Sequence, residues 1–141
     1  DQDRSERLYV IEYGEGCKLI GTVGLHNIDF SNRNARLGMT IFRPEDRGKG
    51  YGTEALEALI AHAFTGFPLD DRGNTFHKLY MNVFAENERA RKRYQGIGFQ
   101  ESGILHQHYL LNGVWHDMVH MVLFKDRWSK LQETDRYRFT T

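Results

Sequence analysis

The chain has 141 residues, with 19 basic and 19 acidic side chains and therefore no formal net charge. This length suits a single domain with one core, and the balanced charge excludes a protein drawn to nucleic acid or membranes by its overall field. A single cysteine excludes an internal disulfide framework. No apolar run approaches the roughly 20 residues of a membrane helix, and the opening DQDRSER lacks the pattern of a signal peptide. We therefore expect a cytoplasmic protein.

The first 42 residues predict a three-stranded meander. Apolar and β-branched runs occupy residues 8–13 and 18–28, and Gly14-Glu15-Gly16 between them indicates an antiparallel hairpin. A third apolar run, Met39 to Phe42, ends before Pro44, which has no N–H to donate to a neighbouring strand. We expect the third strand to end there.

A glycine-rich loop follows this strand and opens a helix. Unpaired N–H groups and the positive end of the helix dipole make such a helix start an anion site. Glycines at positions 48, 50 and 52 allow a phosphate to approach the backbone, and Arg47 and Lys49 add positive charge. The loop therefore predicts a diphosphate ligand, although its spacing fits neither a Walker loop nor a dinucleotide fingerprint. The helix itself is predicted from apolar residues at helical spacing: Ala55, Leu56, Leu59, Ile60, Ala63 and Phe64.

A second strand-helix unit follows a polar connector at residues 65–76. The alternating run from His77 to Ala85 predicts a strand. Asn87 is a suitable N-cap for a helix that ends near Ile97, just before a glycine.

The remaining residues predict a hairpin and a tail. Residues 99–111 and 114–124 are extended runs joined by Asn112-Gly113, a strong signal for a two-residue hairpin turn. Residues 125–131 predict a short helix, and residues 132–141 a polar tail.

Tyr94 on the second helix is a candidate proton donor. Asn87, Ala90, Tyr94 and Ile97 lie near one helix face because they are spaced by three or four residues. A tyrosine, whose pKa is ordinarily about 10, is protonated at neutral pH and can protonate a leaving group. The competing interpretation is an aromatic core residue. Nearby basic residues form either a solvated face or phosphate contacts: Arg89, Arg91, Lys92 and Arg93.

Two motifs resemble those of the GNAT superfamily of N-acetyltransferases. The segment Arg47-Gly48-Lys49-Gly50-Tyr51-Gly52 is similar to the acyl-CoA motif Gln/Arg-x-x-Gly-x-Gly/Ala of that family. The segment Asn87-x-x-Ala90-x-x-x-Tyr94-x-x-x-Gly98-Phe99 resembles the second signature. The final hairpin is similar to the branch that contains ribosomal-protein N-terminal acetyltransferases and polyamine acetyltransferases. The similarity covers residues 19–128.

The resemblance implies transfer of an acetyl group from acetyl-CoA to a primary amine by direct attack, without a metal. The acceptor would be a small-molecule amine such as a polyamine, or a protein N-terminal amine. Nucleic acid and membrane partners are not expected from the balanced charge, and exposed final strands allow a homodimer.

The resemblance also assigns roles by position. The backbone of Ile41 and Phe42 would contact the pantetheine arm, Asn87 would contact the cofactor, and Tyr94 would protonate the departing CoA thiolate. The pyrophosphate would be held by one continuous segment: Arg47, Gly48, Lys49, Gly50, Tyr51, Gly52 and Thr53.

The implied fold is α/β (α+β): a mixed, mostly antiparallel central sheet of about six strands with helices on both faces. The chain would be one acyl-CoA N-acyltransferase domain, residues 1–141. It would be short at its N terminus, lacking the first strand and first two helices of the family.

The base that deprotonates the amine is not assigned by the motifs. Members of this branch often carry a glutamate two residues before the glycine of the central strand, and here Arg36 stands at that spacing before Gly38. The candidates are Glu12, His26 and Asp29.

Two other functions remain open from the sequence. A non-catalytic acyl-CoA-binding or partner-binding module would keep the loop without the chemistry. The absent glutamate favours such a module, whereas the retained Asn87 and Tyr94 argue against it. A nucleotide-dependent enzyme would require ATP or NAD to compete at the loop.

The histidines of the final hairpin invite comparison with a metal site. His106 and His108 share one strand face, as do His116 and His120 on the other strand. No carboxylate or cysteine joins either pair at ligand spacing except Asp117, which alternation directs to the other face. We therefore predict a polar sheet face and no metal site.

Overall fold

A computed structural model describes residues 4–140, and for residues 134–140 the backbone alone. This range contains six strands and three α-helices, which confirms the predicted mixed α/β class. In chain order they are β1 (Arg7–Tyr13), β2 (Lys18–Asp29), β3 (Asn34–Ile41), α1 (Tyr51–Thr65), β4 (Lys78–Phe84), α2 (Glu88–Ile97), β5 (Gln100–Leu111), β6 (Val114–Phe124) and α3 (Lys125–Thr140). The chain divides into two units, one ending at His77 and the other beginning at Lys78. None of the helices in the described range has the length and hydrophobicity needed to span a bilayer.

In the first unit, β1, β2 and β3 form the predicted antiparallel meander. Side chains alternate between the two faces of these strands. On one face Met39 and Ile41 of β3 contact Gly52 of α1, where the Met39 Sδ would lie 2.5 Å from an added Cβ. The opposite face of β3 therefore points away from α1.

α1 packs on this meander through the apolar stripe predicted from its sequence. Leu56, Leu59, Ile60, Ala63 and Phe64 are buried, and Ala55 is half-buried. Burial of such a stripe is the main source of stability for a helix of this length.

The second unit contains a three-stranded antiparallel sheet with β6 between β4 and β5. β4 alternates as predicted, with Leu79, Met81 and Val83 buried. Asn112 and Gly113 have φ values of 50° and 77° at the β5–β6 turn. Positive φ at both central residues is typical of a type I′ hairpin turn, so the predicted turn is confirmed.

A bulge interrupts β5 between Leu105 and Tyr109. Gln107 within it has φ 47°, and its N–H donates to the Asp117 carboxylate of β6 at 2.8 Å. A bulge leaves backbone N–H and C=O groups of the strand unpaired. Here the Asp117 carboxylate accepts the hydrogen bond of the N–H that the bulge leaves unpaired.

The last helix is longer than predicted. α3 continues to Thr140, so the segment 132–140, predicted as a polar tail, has a helical backbone. The segment contains neither glycine nor proline to end the helix begun at Lys125. Thr141, the last residue of the predicted tail, lies outside the described residues.

Gly98 ends α2 in a conformation that requires glycine. Its φ is 126°, and its N–H donates to the carbonyl oxygens of Tyr94 and Gln95. A Cβ at this position would lie 2.7 Å from the Leu131 Cδ1 and 3.2 Å from the Leu123 Cδ1. Both the backbone and the packing therefore oppose any side chain there.

We expect Gly98→Ala to lower the free energy of unfolding by about 1–3 kcal/mol, because of this backbone strain and crowding. Gly96→Ala is the matched control. Gly96 is helical, and an added Cβ would meet no described atom within 4 Å, so alanine should raise the free energy of unfolding by about 0.5–1 kcal/mol. Urea denaturation measures both values, and effects of the same sign would contradict this account of Gly98.

Candidate active site

The glycine-rich loop presents backbone donors at the start of α1. Gly50 is the N-cap, with φ 86°, and the Glu54 N–H donates to its carbonyl at 3.0 Å. The N–H groups of Tyr51, Gly52 and Thr53 precede this first helical bond. No side chain in the described part of the chain caps the turn. These donors and the helix dipole together make the anion site that the sequence predicts.

The three glycines of the loop serve different structural purposes. Gly48 and Gly50 have positive φ, and a Cβ added to either would meet no described atom within 4 Å. Open space therefore lies beside both of them. Gly52 instead lies against the Met39 thioether of β3, so it permits close packing of α1 on the strand. Sequence reasoning gave all three glycines the same role.

Some polar groups around the loop already form hydrogen bonds within the fold. The Arg47 guanidinium donates to the Ile41 carbonyl at 3.2 Å, and the Phe42 N–H donates to the Ile20 carbonyl at 2.9 Å. Lys49 is exposed. The pantetheine contacts expected of Ile41 and Phe42 therefore stay predictions.

A buried carboxylate lies immediately before the loop, and sequence reasoning missed it. Asp46 is only 5% exposed, and its Oδ1 lies 3.5 Å from the Lys18 Nζ at the start of β2. Its Oδ2 has no hydrogen-bond partner among the described residues. Because 28 residues separate the two partners, no local pattern could have indicated this ion pair.

Two tyrosine rings, tilted by 38° to each other, are in contact beside the same helix start. The Tyr51 and Tyr13 rings are 4.8 Å apart. A hydrogen bond with Tyr13, and then burial, raise the pKa of the Tyr51 phenol. The phenol therefore stays neutral near the anion site, and the backbone N–H of Tyr51 is the group that can bind an anion.

In the second unit, Asn87 caps α2 as predicted. Its Oδ1 accepts the Ala90 N–H at 3.1 Å, which satisfies one of the unpaired donors of the first turn. The side-chain amide nitrogen has no acceptor among the described residues. The cap thus leaves one donor of Asn87 available.

Tyr94 lies two turns further along α2, with its ring buried. The residue is 9% exposed, and its ring centroid is 6.2 Å from that of Phe99. Its hydroxyl makes no hydrogen bond within the described part of the chain. Burial raises the pKa of the Tyr94 phenol above its ordinary value. The phenol is therefore protonated at neutral pH, as a general acid must be.

One of the four basic residues on α2 has a structural partner. Arg91 forms a two-point contact with Glu101, at 2.8 and 3.0 Å, and also donates to the Ala85 carbonyl. This contact raises the pKa of Arg91 and lowers the pKa of Glu101. Arg91 therefore fastens α2 to β5, whereas the other three basic residues are exposed: Arg89, Lys92 and Arg93.

The three candidate bases lie in different environments in the first unit. Asp29 accepts two hydrogen bonds from Asn32, at 2.8 and 2.9 Å, and these lower the pKa of its carboxyl. Glu12 is exposed and lines a cavity of about 510 Å³ that β1 forms with α1. His26 lies on β2 with its Nδ1 3.1 Å from the Glu6 carboxylate.

Three of the four hairpin histidines each contact a separate partner. His116 lies 2.6 Å from the Glu86 carboxylate, and His120 lies 2.8 Å from the Asn82 side-chain oxygen. His106 lies 3.4 Å from Asp117, which strand alternation had directed elsewhere, because the β5 bulge breaks the alternation. The described side chains contain no cluster of three or more groups that could hold a metal ion.

Comparison with known proteins gives relatives that are N-acetyltransferases. Residues 1–100 match the family described as acetyltransferase (GNAT) domain. The chain is 30% identical over 131 residues to the spermidine N(1)-acetyltransferase of Vibrio cholerae, covering 93% of this chain and 70% of that protein. It is 34% identical over 111 residues to the putative ribosomal N-acetyltransferase YdaF of Bacillus subtilis, covering 79% of this chain and 56% of that protein.

A solved structure agrees with these relatives. Spermidine N-acetyltransferase from Vibrio cholerae, in complex with CoA and spermine, superposes with a TM-score of 0.76 at 30% identity. The match covers 89% of this chain and 69% of that one, so the chain spans about two thirds of the relative. The chain therefore belongs to the GNAT family of N-acetyltransferases, which transfer the acetyl group of acetyl-CoA to an amine, as its motifs predict.

Proposed function

We propose that the acceptor is a polyamine and that Tyr94 is the general acid of the transfer. The relative from Vibrio cholerae that carries spermidine in its name aligns with 93% of this chain. The observation that carries the mechanism is the Tyr94 phenol, which burial keeps protonated and which has no hydrogen-bond partner in the described structure. A protein N-terminal amine is the second candidate acceptor, favoured by the similarity to the putative ribosomal enzyme.

The loop from Arg47 to Thr53 binds the pyrophosphate of acetyl-CoA in this proposal. The uncapped N–H groups of α1 supply donors and the dipole supplies positive potential. Open space beside Gly48 and Gly50 admits the phosphates to the backbone. Lys49 is exposed and adds a mobile cation. Asn87 contributes its available side-chain amide to the cofactor.

The reaction proceeds by direct attack. The neutral amine attacks the thioester carbonyl carbon, and the carbon–sulfur bond breaks as the tetrahedral intermediate collapses. The electrons of that bond pass to sulfur, which takes the phenol proton of Tyr94 and leaves as the CoA thiol. The nitrogen, which became cationic on attack, releases a proton to solvent to give the neutral amide, and solvent restores the proton to the tyrosinate. A protonated donor favours this step because a thiol is a better leaving group than a free thiolate.

A non-catalytic acyl-CoA-binding module is the rival function. Such a module needs the loop but has no use for a buried, protonated phenol without a partner. Multiple turnovers of CoA release with any amine distinguish the enzyme from the module.

The homodimer, the cytoplasmic location and the single-domain organisation stay predictions. We propose that one acyltransferase domain comprises the whole chain. The exposed apolar residues of the β5–β6 hairpin are the surface that favours self-association: Tyr109, Leu110, Leu111, Val114 and Trp115.

We expect Gly50→Glu to weaken acetyl-CoA binding by about a hundredfold or more, because a carboxylate beside the pyrophosphate places like charges together. Gly73→Glu is the matched control. Gly73 also has positive φ, 77°, with no described atom within 4 Å of an added Cβ, so it repeats the strain and the charge away from the loop. Calorimetric titration measures both affinities. Equal acetyl-CoA affinity in the two variants would show that the loop is not part of the cofactor site.

We expect Tyr94→Phe to lower kcat by about 10- to 1,000-fold and to leave acetyl-CoA affinity unchanged. Because the raised pKa keeps the phenol protonated, the wild-type rate should not fall between pH 7 and 9 through loss of this acid. Tyr109→Phe, at a tyrosine 48% exposed on β5, is the control. A wild-type rate in Tyr94→Phe would show that Tyr94 is a core residue and not the general acid.

The acceptor is tested by CoA release with spermidine, spermine and peptides with free N termini. We expect kcat/KM to be highest for a polyamine, and faster turnover of the peptides would favour the second candidate. An absence of turnover with every amine, together with intact acetyl-CoA binding, would favour the non-catalytic module.

A further inference from the structure

His26 lies on the face of the β2–β3 pair that points away from α1. In the antiparallel register His26 is opposite Arg36, and Gly24 is opposite Gly38. Directly opposed residues share a face, so these four residues form one surface. β2 bulges immediately after His26, where Asn27 has φ 51°. Bulges re-aim neighbouring side chains and recur next to active sites.

The imidazole of His26 occupies a cradle made by the two opposed glycines. A Cβ on Gly38 would lie 2.7 Å from the His26 Nε2 and 2.9 Å from its Cδ2, and a Cβ on Gly24 would lie 3.3 Å from the Nε2. Glycine is unfavourable within a strand and marks places where another group approaches closely. Here Gly38 makes room chiefly for the ring, whereas Gly24 also makes room for the Leu8 Cδ2, 2.6 Å from an added Cβ, and the Arg7 carbonyl oxygen, at 2.9 Å.

Glu6 orients this ring from the segment before β1. Its Oε1 lies 3.1 Å from the His26 Nδ1, and the carboxylate is about half exposed while the imidazole is 19% exposed. A carboxylate at Nδ1 fixes the tautomer in which Nε2 is the proton acceptor. The Nε2 has no hydrogen-bond partner within the described part of the chain, so it is available to a substrate.

The neighbouring groups are less suited to accept a proton. Arg36, the other charged group shown on this surface, is a guanidinium with N–H donors and no acceptor. Asp29 already accepts two hydrogen bonds from Asn32. Glu12 is exposed at the far end of β1, five residues beyond Arg7, which pairs with Leu25 next to His26.

We propose that His26, oriented by Glu6, is the general base that takes the proton from the acceptor amine. This proposal rests on the amine acetylation proposed above and names the group that prepares the nucleophile. The ammonium of the acceptor passes one proton to the His26 Nε2, and its nitrogen lone pair then forms the bond to the acetyl carbon. The imidazolium later releases its proton to solvent. His26 is thus the catalytic residue and Glu6 a positioning residue.

The test compares kcat/KM for the acceptor amine in wild type and His26→Gln across pH 6.5 to 9.5. We expect a loss of about a hundredfold near pH 7, the contribution typical of a general base. The loss should shrink toward pH 9.5, because free amine becomes more abundant as pH approaches its pKa of about 10. Acetyl-CoA affinity should be unchanged.

Further variants distinguish a catalytic role of His26 from a purely structural one. In His26→Ala, added imidazole should restore part of the rate by occupying the vacated cradle. Glu6→Gln should show a smaller loss with the same pH trend. His62→Gln, at an exposed histidine on α1, is the control and should retain the wild-type profile. Thermal unfolding of each variant shows whether it is folded.

Two results would overturn the role of His26. One is a wild-type rate in His26→Gln, and the other is a loss that stays constant across the pH range and is not rescued by imidazole. Both require an active wild-type enzyme. Wild-type chain that turns over no amine would instead reject the proposed function, so the two failures are distinct.

Discussion

The antiparallel register between β2 and β3 is the constraint on which the chemistry of the first unit depends. It places Gly24 opposite Gly38 and His26 opposite Arg36 on one face. The alternate residues of β3 meet α1, where Gly52 allows the helix to approach the Met39 side chain. A slip of one residue would exchange the two faces. The same pairing therefore anchors the start of α1 and seats the imidazole.

Features determined by neighbouring residues were predictable from the sequence. The N-cap at Asn87, the positive-φ turn at Asn112-Gly113 and the helix start at Gly50 each follow from residues within one turn. The end of α3 was not predictable in this way. Polar composition suggested a tail, but nothing in residues 132–140 disfavours a helix that has already begun.

The candidate site was predictable only where its residues are close in sequence. The loop donors and the N-cap of α2 belong to local motifs. The ion pair of Lys18 with Asp46, the contact of Glu6 with His26 and the contact of Arg91 with Glu101 join residues 28, 20 and 10 positions apart, which the packing of separate elements brings together. For the same reason the sequence left three bases open, and it could not show that Gly52 serves packing.

The bulge in β5 also changes the exposed edge of the sheet in the second unit. β5 lies at one edge of the sheet in the second unit, where a regular row of N–H and C=O groups would be a template for another strand. At Gln107 the backbone donor turns inward to Asp117, which breaks that row. The exposed apolar residues near the hairpin turn, Leu110 and Val114 among them, can then associate by side-chain packing without continuing the ladder. The irregular strand thus disfavours the edge-to-edge pairing with another strand that a regular β5 would allow.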